Sequence, residues 1–417
     1  MRGFASRLPL ILKQPGFAGL LVSAFALGVG LSFVGPFLSL WGTREIGMRP
    51  ATFGAFMTVT ALSATLVATL LARWSDTHLP RKVMLVMGAC GGVLGYTGYA
   101  LLHDVRFLVG VGSTVLALAA LCFAQLFAYT RERFHDAEVP GMPPGFMVSV
   151  VRVCFSLAWT AGPSIGAWIM VGFGFRGLFL GAALLFLIFL VGVLVFVPFE
   201  RRPPNVRAAI REPVWRILTR GDLFAVFFAF LLVFAAHAMN ALNLPLLIMN
   251  VLGGKTRDLG ITYGVGPIAE VPLMLYFGHL AGRGHQLAII RFGAIVTTAY
   301  FLVLSEAHAP WHVYLAQILS GASFAIISNV AIVFFQDLVP GQPGLATTVF
   351  SNAAYIGNLV GYLGFGALVG PLGNRGVILV SAALTLGMMV ILFLYRPRRD
   401  RGSAMPVLRA PVPLGAD

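Results

Sequence analysis

The chain is poor in charged residues and in cysteine. Charged side chains make up 11% of its 417 residues, whereas 58% of the residues are hydrophobic. A soluble globular domain carries about a quarter charged residues, so this composition excludes one and indicates a chain that crosses a membrane many times. The three cysteines, Cys90, Cys122 and Cys154, fall inside apolar segments without metal-ligand spacing. They indicate small buried side chains and predict neither a disulfide nor a zinc site.

Motifs of enzymes and of ATP-driven pumps are also missing. The sequence contains no P-loop after a strand and no HExxH zinc motif, and of its eight histidines only His237 lies well inside an apolar segment. These absences argue against a hydrolase, a zinc enzyme and a primary pump. We therefore expect no enzymatic activity, no cofactor and no metal, and we expect any transport to follow a gradient.

Acidic residues are about half as numerous as basic ones, 15 against 29, which gives a net charge of +14. A nucleic-acid-binding protein would carry its basic residues on one groove-facing surface. Here they lie between apolar segments, so no nucleic-acid partner is expected and the charge instead indicates how the chain is oriented in a membrane.

Apolar segments of about 20 residues, the length that crosses a bilayer as a helix, occur twelve times. They span 17–41, 51–72, 83–102, 107–129, 147–172, 177–198, 222–250, 260–281, 288–305, 312–336, 347–370 and 377–395. We predict an all-α membrane protein with two pseudo-symmetric six-helix lobes, 1–198 and 222–395. A basic central loop, 199–221, joins the lobes, and a basic tail, 396–417, follows them.

The loops between these segments differ in basic charge. With the N-terminus inside, the inside segments hold about three times as many Lys and Arg residues as the outside loops. The positive-inside rule then places both termini and the central loop in the cytoplasm.

One acidic residue lies deep inside a predicted span. Glu270 is about eleven residues into segment 260–281, near the bilayer midplane, whereas the other acidic residues lie in loops, in tails or at span ends. A charge at that depth costs roughly 2.5–3.5 kcal/mol on insertion scales, so it is retained where it faces a cavity, finds a partner or binds a proton. We predict a proton-coupling role for Glu270; the alternative is a protonated carboxyl that hydrogen bonds between helices.

Arg152 is the one basic residue clearly inside a predicted span, about five residues from its cytoplasmic end. Its long side chain either reaches back to the membrane interface or faces a central cavity, where it would donate to substrate hydroxyls or pair with Glu270. Trp159 follows seven residues later on the same helix face and can stack on a sugar ring.

Uncharged polar side chains recur along several segments. Interhelical hydrogen bonding explains any one of them, but together they supply many donors and acceptors with almost no fixed charge. Such a lining suits a neutral polyhydroxylated ligand better than an ion or a lipid. Besides Arg152 and Trp159, the candidate substrate-binding residues are Gln125, His237, Asn240, Asn243, Gln317 and Asn352.

The loop after the second segment, 72–82, reads ARWSDTHLPRK. It resembles the signature between the second and third helices of the major facilitator superfamily, which has a Gly, an Asp four residues later and a closing basic pair. Ala72 stands in place of the Gly, and the spacing to the basic pair is one residue longer. The resemblance implies that Asp76, Arg81 and Lys82 form a charge relay that latches the cytoplasmic gate.

Within that superfamily the lengthened loop looks like that of the bacterial sugar efflux transporter family. So do 152–163 (RVCFSLAWTAGP), 240–246 (NALNLPL) and 269–274 (AEVPLM). The resemblance implies a transporter that exports sugars or glycosides by alternating access, with Glu270 exchanging a proton against the sugar. Segment 162–166, GPSIG, also resembles the fifth-helix signature of proton-coupled drug exporters, so a multidrug/proton antiporter is the alternative.

The resemblance also sets expectations about surroundings and partners. It implies a multi-pass protein of the bacterial cytoplasmic membrane whose partners are a small-molecule substrate, protons and the lipid bilayer. Nothing in this architecture requires more than a monomer. A non-transporting sensor would need an extra soluble domain, and the tail of roughly twenty residues is too short for one.

Overall fold

The computed structural model describes residues 16–134, 146–199, 221–339 and 343–396. Within these ranges the chain is built of helices and contains no strand. Nearly all of the predicted central loop and of the predicted tail lies outside the described residues, so the predicted lobe boundaries stay predictions.

The two longest helices are each broken at a glycine. Helix Phe146–Phe196 departs from helical geometry at Gly174, where φ is 64°, and helix Pro343–Leu394 does so at Gly373, where φ is 69°. Glycine reaches positive φ at little cost because it has no Cβ, so the chain can turn at these two positions. Each long helix therefore consists of two rods.

With those breaks the described residues form twelve helical rods, which we number α1 to α12. They span 17–45, 50–78, 81–101, 105–134, 146–173, 175–196, 221–251, 256–281, 286–305, 310–338, 343–372 and 374–394. Each predicted apolar segment falls on one of these rods, with at most two residues beyond its end. The all-helical fold class is confirmed.

Hydropathy and length qualify eight described helices as membrane crossings. Two of these, Val150–Phe196 and Leu345–Leu394, run for 47 and 50 residues, about twice what one crossing needs. The remaining rods are α8, which contains Pro267, Pro272 and Glu270, and α10, which is interrupted by a π-helical turn. The chain is a multi-pass membrane protein.

The two halves of the chain repeat the same local details. A π-helical turn ends α1 at Trp41–Glu45 and α7 at Leu247–Val251, and each turn is followed by a glycine with positive φ, Gly47 and Gly253. These corresponding features lie 206 residues apart in the sequence. The repetition supports two pseudo-symmetric lobes, which we call the N-lobe (α1–α6) and the C-lobe (α7–α12).

We call the end of the bundle with the connections at 46–49, 102–104, 252–255 and 306–309 the outer end, following the predicted orientation, and the opposite end the inner end. At the outer end α2 and α11 touch backbone to backbone. A Cβ on Gly54 would lie 2.7 Å from the Cα of Gly366 and 2.7 Å from the carbonyl oxygen of Tyr362. Only glycine fits such an approach between helices.

Two further contacts between the lobes lie near the outer end. A Cβ on Gly260 of α8 would lie 2.8 Å from the Cβ of Ala167 on α5. The Arg44 side chain at the end of α1 donates a hydrogen bond to Asn250 at the end of α7, and these two positions correspond in the repeat. The lobes are therefore in contact at the outer end in this conformation.

Candidate functional site: the cavities between the lobes

Two adjoining cavities lie between the lobes and share Trp159, Pro267 and Glu270 in their walls. One, which we call the polar cavity, has a volume of about 440 Å³ and is lined mainly by α7, α8, α9 and α10. The other, the aromatic cavity, has a volume of about 560 Å³ and is lined by α1, α4, α5 and α8. Both volumes fall in the range of small-molecule sites.

Tyr300 on α9 holds two amide side chains in the wall of the polar cavity. Its hydroxyl oxygen accepts hydrogen bonds from Asn240 Nδ2 at 2.9 Å and from Gln317 Nε2 at 3.3 Å. Asn240 belongs to α7 and Gln317 to α10, so a single phenol fixes polar groups from two other helices. Side chains held in this way present a defined pattern to a ligand.

Two buried polar atoms on residues of the polar-cavity wall have no hydrogen-bond partner among the described residues. They are Oδ1 of Asn240 and the hydroxyl oxygen of Tyr263, and both are buried. A buried polar atom without a partner costs about 1–3 kcal/mol. A ligand that carries hydroxyl groups would supply the missing bonds, since Asn240 Oδ1 accepts and the Tyr263 hydroxyl both donates and accepts.

His237 completes one side of the polar cavity. Its Nε2 lies 3.4 Å from Ser323 Oγ, which is 2.6 Å from Thr297 Oγ1. The imidazole also packs against Phe324, with ring centroids 4.5 Å apart. His237 is thus held between a buried pair of hydroxyls and an aromatic ring.

Four aromatic rings line the aromatic cavity. The rings of Phe123 and Phe127 on α4 and of Phe155 and Trp159 on α5 form a continuous cluster, with successive centroids 4.9 to 6.0 Å apart. Arg152 lies in the same wall as Glu270 and has an exposed side chain. The cavity is therefore apolar over much of its surface and has one cation and one acid in its lining.

Of the twelve candidate residues, the structure brings six together in these two cavities. They are Arg152, Trp159, His237, Asn240, Glu270 and Gln317. They come from both halves of the chain, which places the candidate site between the lobes.

Three candidate substrate-binding residues line neither cavity. Gln125 accepts a hydrogen bond from Arg81 Nη1 at 2.7 Å. Asn243 is fully buried and exchanges two hydrogen bonds with Asn374 on α12, at 2.9 and 2.7 Å. Asn352 on α11 lies half-buried outside both linings. Because the amides of Gln125 and Asn243 already have partners inside the protein, we leave these three residues out of the proposed binding set.

The Asn243 pair leads to a prediction about stability. Replacing Asn243 with alanine removes both bonds between α7 and α12 and leaves the Asn374 amide unpaired, so we expect a loss of about 1 kcal/mol of stability, the usual size for an interhelical hydrogen bond in a membrane. Thermal unfolding in detergent measures it. Asn352→Ala, which breaks no comparable pair, serves as the control. A decrease in ligand affinity with unchanged stability would contradict this structural role.

The predicted gate residues lie at the inner end. The Arg81 guanidinium forms an ion pair with Glu132 on α4, with Nη2 3.1 Å from Oε1. The Lys82 ammonium donates to the carbonyl oxygen of Leu194 at 2.8 Å. The side chain of Asp76 lies outside the described residues, so a relay that includes it stays a prediction. The observed contacts tie α3 to α4 and to α6 within the N-lobe.

The C-lobe repeats these inner-end contacts with different residues. Gln286 at the start of α9 donates to Asp337 near the end of α10 at 2.9 Å, at the same sequence separation as Arg81 and Glu132. Arg291 on α9 donates to the carbonyl oxygen of Leu392 on α12 at 3.0 Å, as Lys82 does to α6. Each lobe thus has its own side-chain contacts that join its helices at the inner end.

Asp258 joins two helices at the outer end. Its carboxylate accepts from the Lys255 backbone N–H and from the Tyr314 hydroxyl of α10, both at 2.6 Å. Burial raises the pKa of Asp258, but the two hydrogen bonds and the charges of Lys255 and Arg257 outweigh that effect and hold the pKa below its ordinary value. Asp258 therefore acts here as a charged cap for α8.

The sequence reasoning missed several lining residues. Tyr263 precedes Glu270 by seven residues on α8, so helical periodicity would have placed both on one face. Tyr300 gives no such signal, since it is an isolated tyrosine in an apolar helix. The phenylalanines of the aromatic cavity cannot be distinguished by sequence from the many that pack inside the bundle.

Comparisons with known proteins agree with this architecture. The sequence profile of the Major Facilitator Superfamily matches residues 20–358. A Deinococcus radiodurans protein described as a candidate sugar efflux transporter is 32% identical over 90% of this chain and 98% of its own length. The sugar efflux transporter A of Dickeya chrysanthemi is 29% identical over 85% of this chain and 88% of its own length.

Among solved structures, the nucleoside transporter NupG superposes with a TM-score of 0.74 at 15% identity, covering 91% of this chain and 100% of the other. At that identity the likeness concerns the fold alone. The profile match extends over most of the chain and includes helices of both lobes. The chain belongs to the Major Facilitator Superfamily, and it is a membrane transporter of a small molecule rather than an enzyme.

Proposed function

We propose that this transporter exports sugars or glycosides across the bacterial cytoplasmic membrane. The observation that carries the proposal is the pair of buried, unpartnered polar atoms, Asn240 Oδ1 and the Tyr263 hydroxyl, in the wall of the polar cavity. A sugar hydroxyl is both a donor and an acceptor, so a polyol bound at this wall can supply the bonds that these atoms lack. Trp159 lines the same cavity, where its ring can stack on the apolar face of a sugar.

The charge of the polar cavity favours a neutral substrate. Glu270 is the one acid or base in its lining apart from His237, and the remaining polar groups are amides, hydroxyls and phenols. An anionic substrate would need a cation here, and an organic cation would leave the amide and phenol atoms without partners. The names of the two relatives support sugar as the substrate class.

The aromatic cavity suits the aglycone, the non-sugar part of a glycoside. Its four rings adjoin the polar cavity at Trp159, so a sugar ring bound in the polar cavity would direct an apolar substituent toward Phe155 and Phe123. The alternative, a multidrug/proton antiporter, would use the aromatic cavity mainly and leave Asn240 Oδ1 and Tyr263 unsatisfied. Because a glycoside would satisfy these polar atoms and a drug would not, a glycoside is the favoured substrate.

The conformation fits loading from the cytoplasm. The lobes touch at the outer end through Gly54 and Gly366, while the lining of the aromatic cavity extends to Arg152 and Met274 near the inner ends of α5 and α8. With both termini in the cytoplasm, the inner end faces it. The substrate then enters from inside, and closing the inner end while opening the outer end releases it outside.

Glu270 is the residue to which we assign proton coupling. It lies in the walls of both cavities, so a substrate bound in either cavity lies next to the carboxyl group. In the inward-facing state substrate binding displaces a proton from Glu270 into the cytoplasm. In the outward-facing state the carboxylate takes a proton from outside as the substrate leaves, so one proton enters for each sugar exported.

Flux in proteoliposomes tests the proposal. Labelled lactose or methyl glucoside is offered to vesicles with and without an acidic interior, which provides the gradient that antiport would use. We expect saturable sugar entry into vesicles with the protein and accumulation only with the gradient. Transport of a lipophilic cation together with no sugar flux would overturn the assignment in favour of drug export.

Tyr263 gives a more specific prediction. Tyr263→Phe keeps the ring and removes the unpartnered hydroxyl, so we expect the apparent affinity for sugar to fall about three- to tenfold, the worth of one neutral hydrogen bond. The concentration dependence of sugar flux measures it. Tyr355→Phe, an exposed tyrosine on α11, is the matched control. Equal affinities in the two variants would show that the Tyr263 hydroxyl makes no bond to the substrate.

A further inference from the structure

A third cavity, of about 200 Å³, lies in the outer half of the N-lobe and reaches α11. Three tyrosines belong to its wall, Tyr96 and Tyr99 from α3 and Tyr362 from α11. The rest of the lining is small or apolar and carries no charged residue. We call it the tyrosine cavity.

The tyrosine cavity corresponds to the polar cavity in the other lobe. Five residues of its wall each have a counterpart in the polar cavity 206 residues later in the sequence. The pairs are Leu38 with Leu244, Met57 with Tyr263, Thr60 with Gly266, Ala61 with Pro267 and Ala64 with Glu270. The fold therefore builds the same cavity twice, once in each lobe.

The chemistry of the two cavities differs at the positions that matter for transport. Ala64 stands where the C-lobe has Glu270, and Gly112 stands one residue from the position that matches Gln317. Without the acid and the amide, the tyrosine cavity can neither carry a proton on a carboxyl nor hold a polyol by amide bonds. Its ligand must be neutral and mostly apolar.

The three tyrosines of this wall have no side-chain hydrogen-bond partner among the described residues. Tyr96 and Tyr99 are more than nine-tenths buried, and neither they nor Tyr362 form a hydrogen bond through the side chain with any residue in the described ranges. Their hydroxyl oxygens are not among the fully buried unpartnered atoms of the described residues, so each remains accessible and can bond to a molecule in the cavity. Three such groups around one cavity point to a ligand that carries a hydrogen-bonding group.

We propose that the tyrosine cavity binds a small neutral phenol or alcohol and that the bound molecule inhibits transport. A cavity of about 150 Å³ lined by apolar side chains already admits benzene, so a volume of this size accommodates a substituted phenol. The hydroxyl of the ligand bonds to the tyrosine hydroxyls, and its apolar body packs against Met57 and Leu116.

Inhibition follows from the place of Tyr362. The backbone of Tyr362 lies at the contact between α2 and α11 that closes the outer end, next to Gly54. A ligand that touches Tyr362 on one side and the N-lobe tyrosines on the other makes all of its contacts only while that end is closed. By linkage it increases the population of the outer-closed conformation and slows the return to the outer-open one.

Binding of 4-fluorophenol to the purified full chain in detergent, followed by fluorine NMR, tests the site. We expect saturable binding that excess lactose does not displace. Ala64→Leu fills the cavity and should weaken binding at least tenfold, whereas Ala68→Leu, the same change one turn along α2 and outside the lining, should not. Binding that survives in Ala64→Leu, that lactose displaces, or that never saturates would overturn the proposal.

A second variant keeps the test independent of packing defects. Tyr99→Phe preserves the ring, so it should lower the affinity for 4-fluorophenol about three- to tenfold and leave that for fluorobenzene unchanged. Flux supplies the functional readout: 4-fluorophenol should slow transport by the unmodified protein but not by Ala64→Leu. The binding measurements do not depend on sugar being the substrate, so failure of the proposed function and failure of this site are distinguishable.

Discussion

Replacing Gly54 with leucine is expected to abolish net transport and to leave the protein open at its outer end. A Cβ at this position would lie 2.7 Å from the Cα of Gly366 and 2.7 Å from the carbonyl oxygen of Tyr362. Both are backbone atoms, which cannot move aside as a flexible side chain can, so the larger residue excludes the closed contact between α2 and α11. An outer-open conformation, as alternating access requires, would separate these helices and tolerate the leucine.

The expected size of the effect follows from population arithmetic. Moving a two-state equilibrium from almost fully closed to almost fully open needs about 5.5 kcal/mol. Overpacking costs about 1–3 kcal/mol at an ordinary site and more where, as here, the neighbours are backbone atoms that cannot give way. Flux in proteoliposomes should therefore fall by roughly 100-fold or more. A second readout is the accessibility of the outer end, where Asn250 lies. In a background without the three natural cysteines, the thiol introduced by Asn250→Cys should react faster with a membrane-impermeant maleimide when Gly54→Leu is also present, because the outer end is then open.

Gly110→Leu is the matched control, since a Cβ on Gly110 meets no atom within 4 Å. We expect it to transport at close to the unmodified rate. Monodisperse elution in detergent shows that each variant is folded. Normal flux in Gly54→Leu would show that the contact between α2 and α11 is not part of the outer gate.

Much of the fold follows from the sequence because membrane helices obey simple constraints. Lipid leaves backbone groups no partner except within the helix, so long apolar segments become helices whatever their detailed sequence. The predicted segments accordingly fall on the observed helices. Glu270 was predicted to matter for the same reason, since an acid in mid-membrane needs a cavity or a partner.

The direction of each polar side chain does not follow from the sequence. Asn240 and Asn243 lie three residues apart on α7, and both were predicted to bind the substrate. The structure directs Asn240 toward Tyr300 and the polar cavity, and Asn243 toward Asn374 on α12. One turn of helix separates them by about 60° around the axis, which is enough to change the neighbouring helix.

Gln125 shows a related limit. An amide inside a predicted span can face a cavity or pair with another side chain, and the sequence does not say which. Here the Arg81 guanidinium from the start of α3 reaches it at 2.7 Å. The two residues are 44 apart in the sequence, and no local pattern predicts that contact.

Replacing Glu270 with glutamine is expected to abolish accumulation driven by a pH gradient while leaving downhill exchange intact. Glutamine has the shape of a protonated glutamic acid and still donates a hydrogen bond, so the substrate site between the two cavities keeps its lining. It cannot release a proton, so sugar movement is no longer tied to proton movement.

The size of this effect is set by the gradient. One pH unit corresponds to about 1.4 kcal/mol per proton, so a gradient of two units supports at most roughly 100-fold accumulation for one proton per sugar. The unmodified protein should approach that ratio in vesicles with an acidic interior, and Glu270→Gln should stay near equal concentrations. Counterflow of labelled sugar against unlabelled sugar measures the exchange that we expect to survive.

Glu306→Gln is the control for this prediction, because Glu306 is an exposed acid at the outer end, outside both cavities. It should accumulate sugar as the unmodified protein does. Accumulation that persists in Glu270→Gln would place the proton elsewhere, with His237 as the next group to test, since it is the other acid or base in the lining of the polar cavity apart from the tyrosines. Exchange without accumulation even in the unmodified protein would instead mean that sugar moves only down its own gradient, and Glu270 would then be a structural carboxyl between helices.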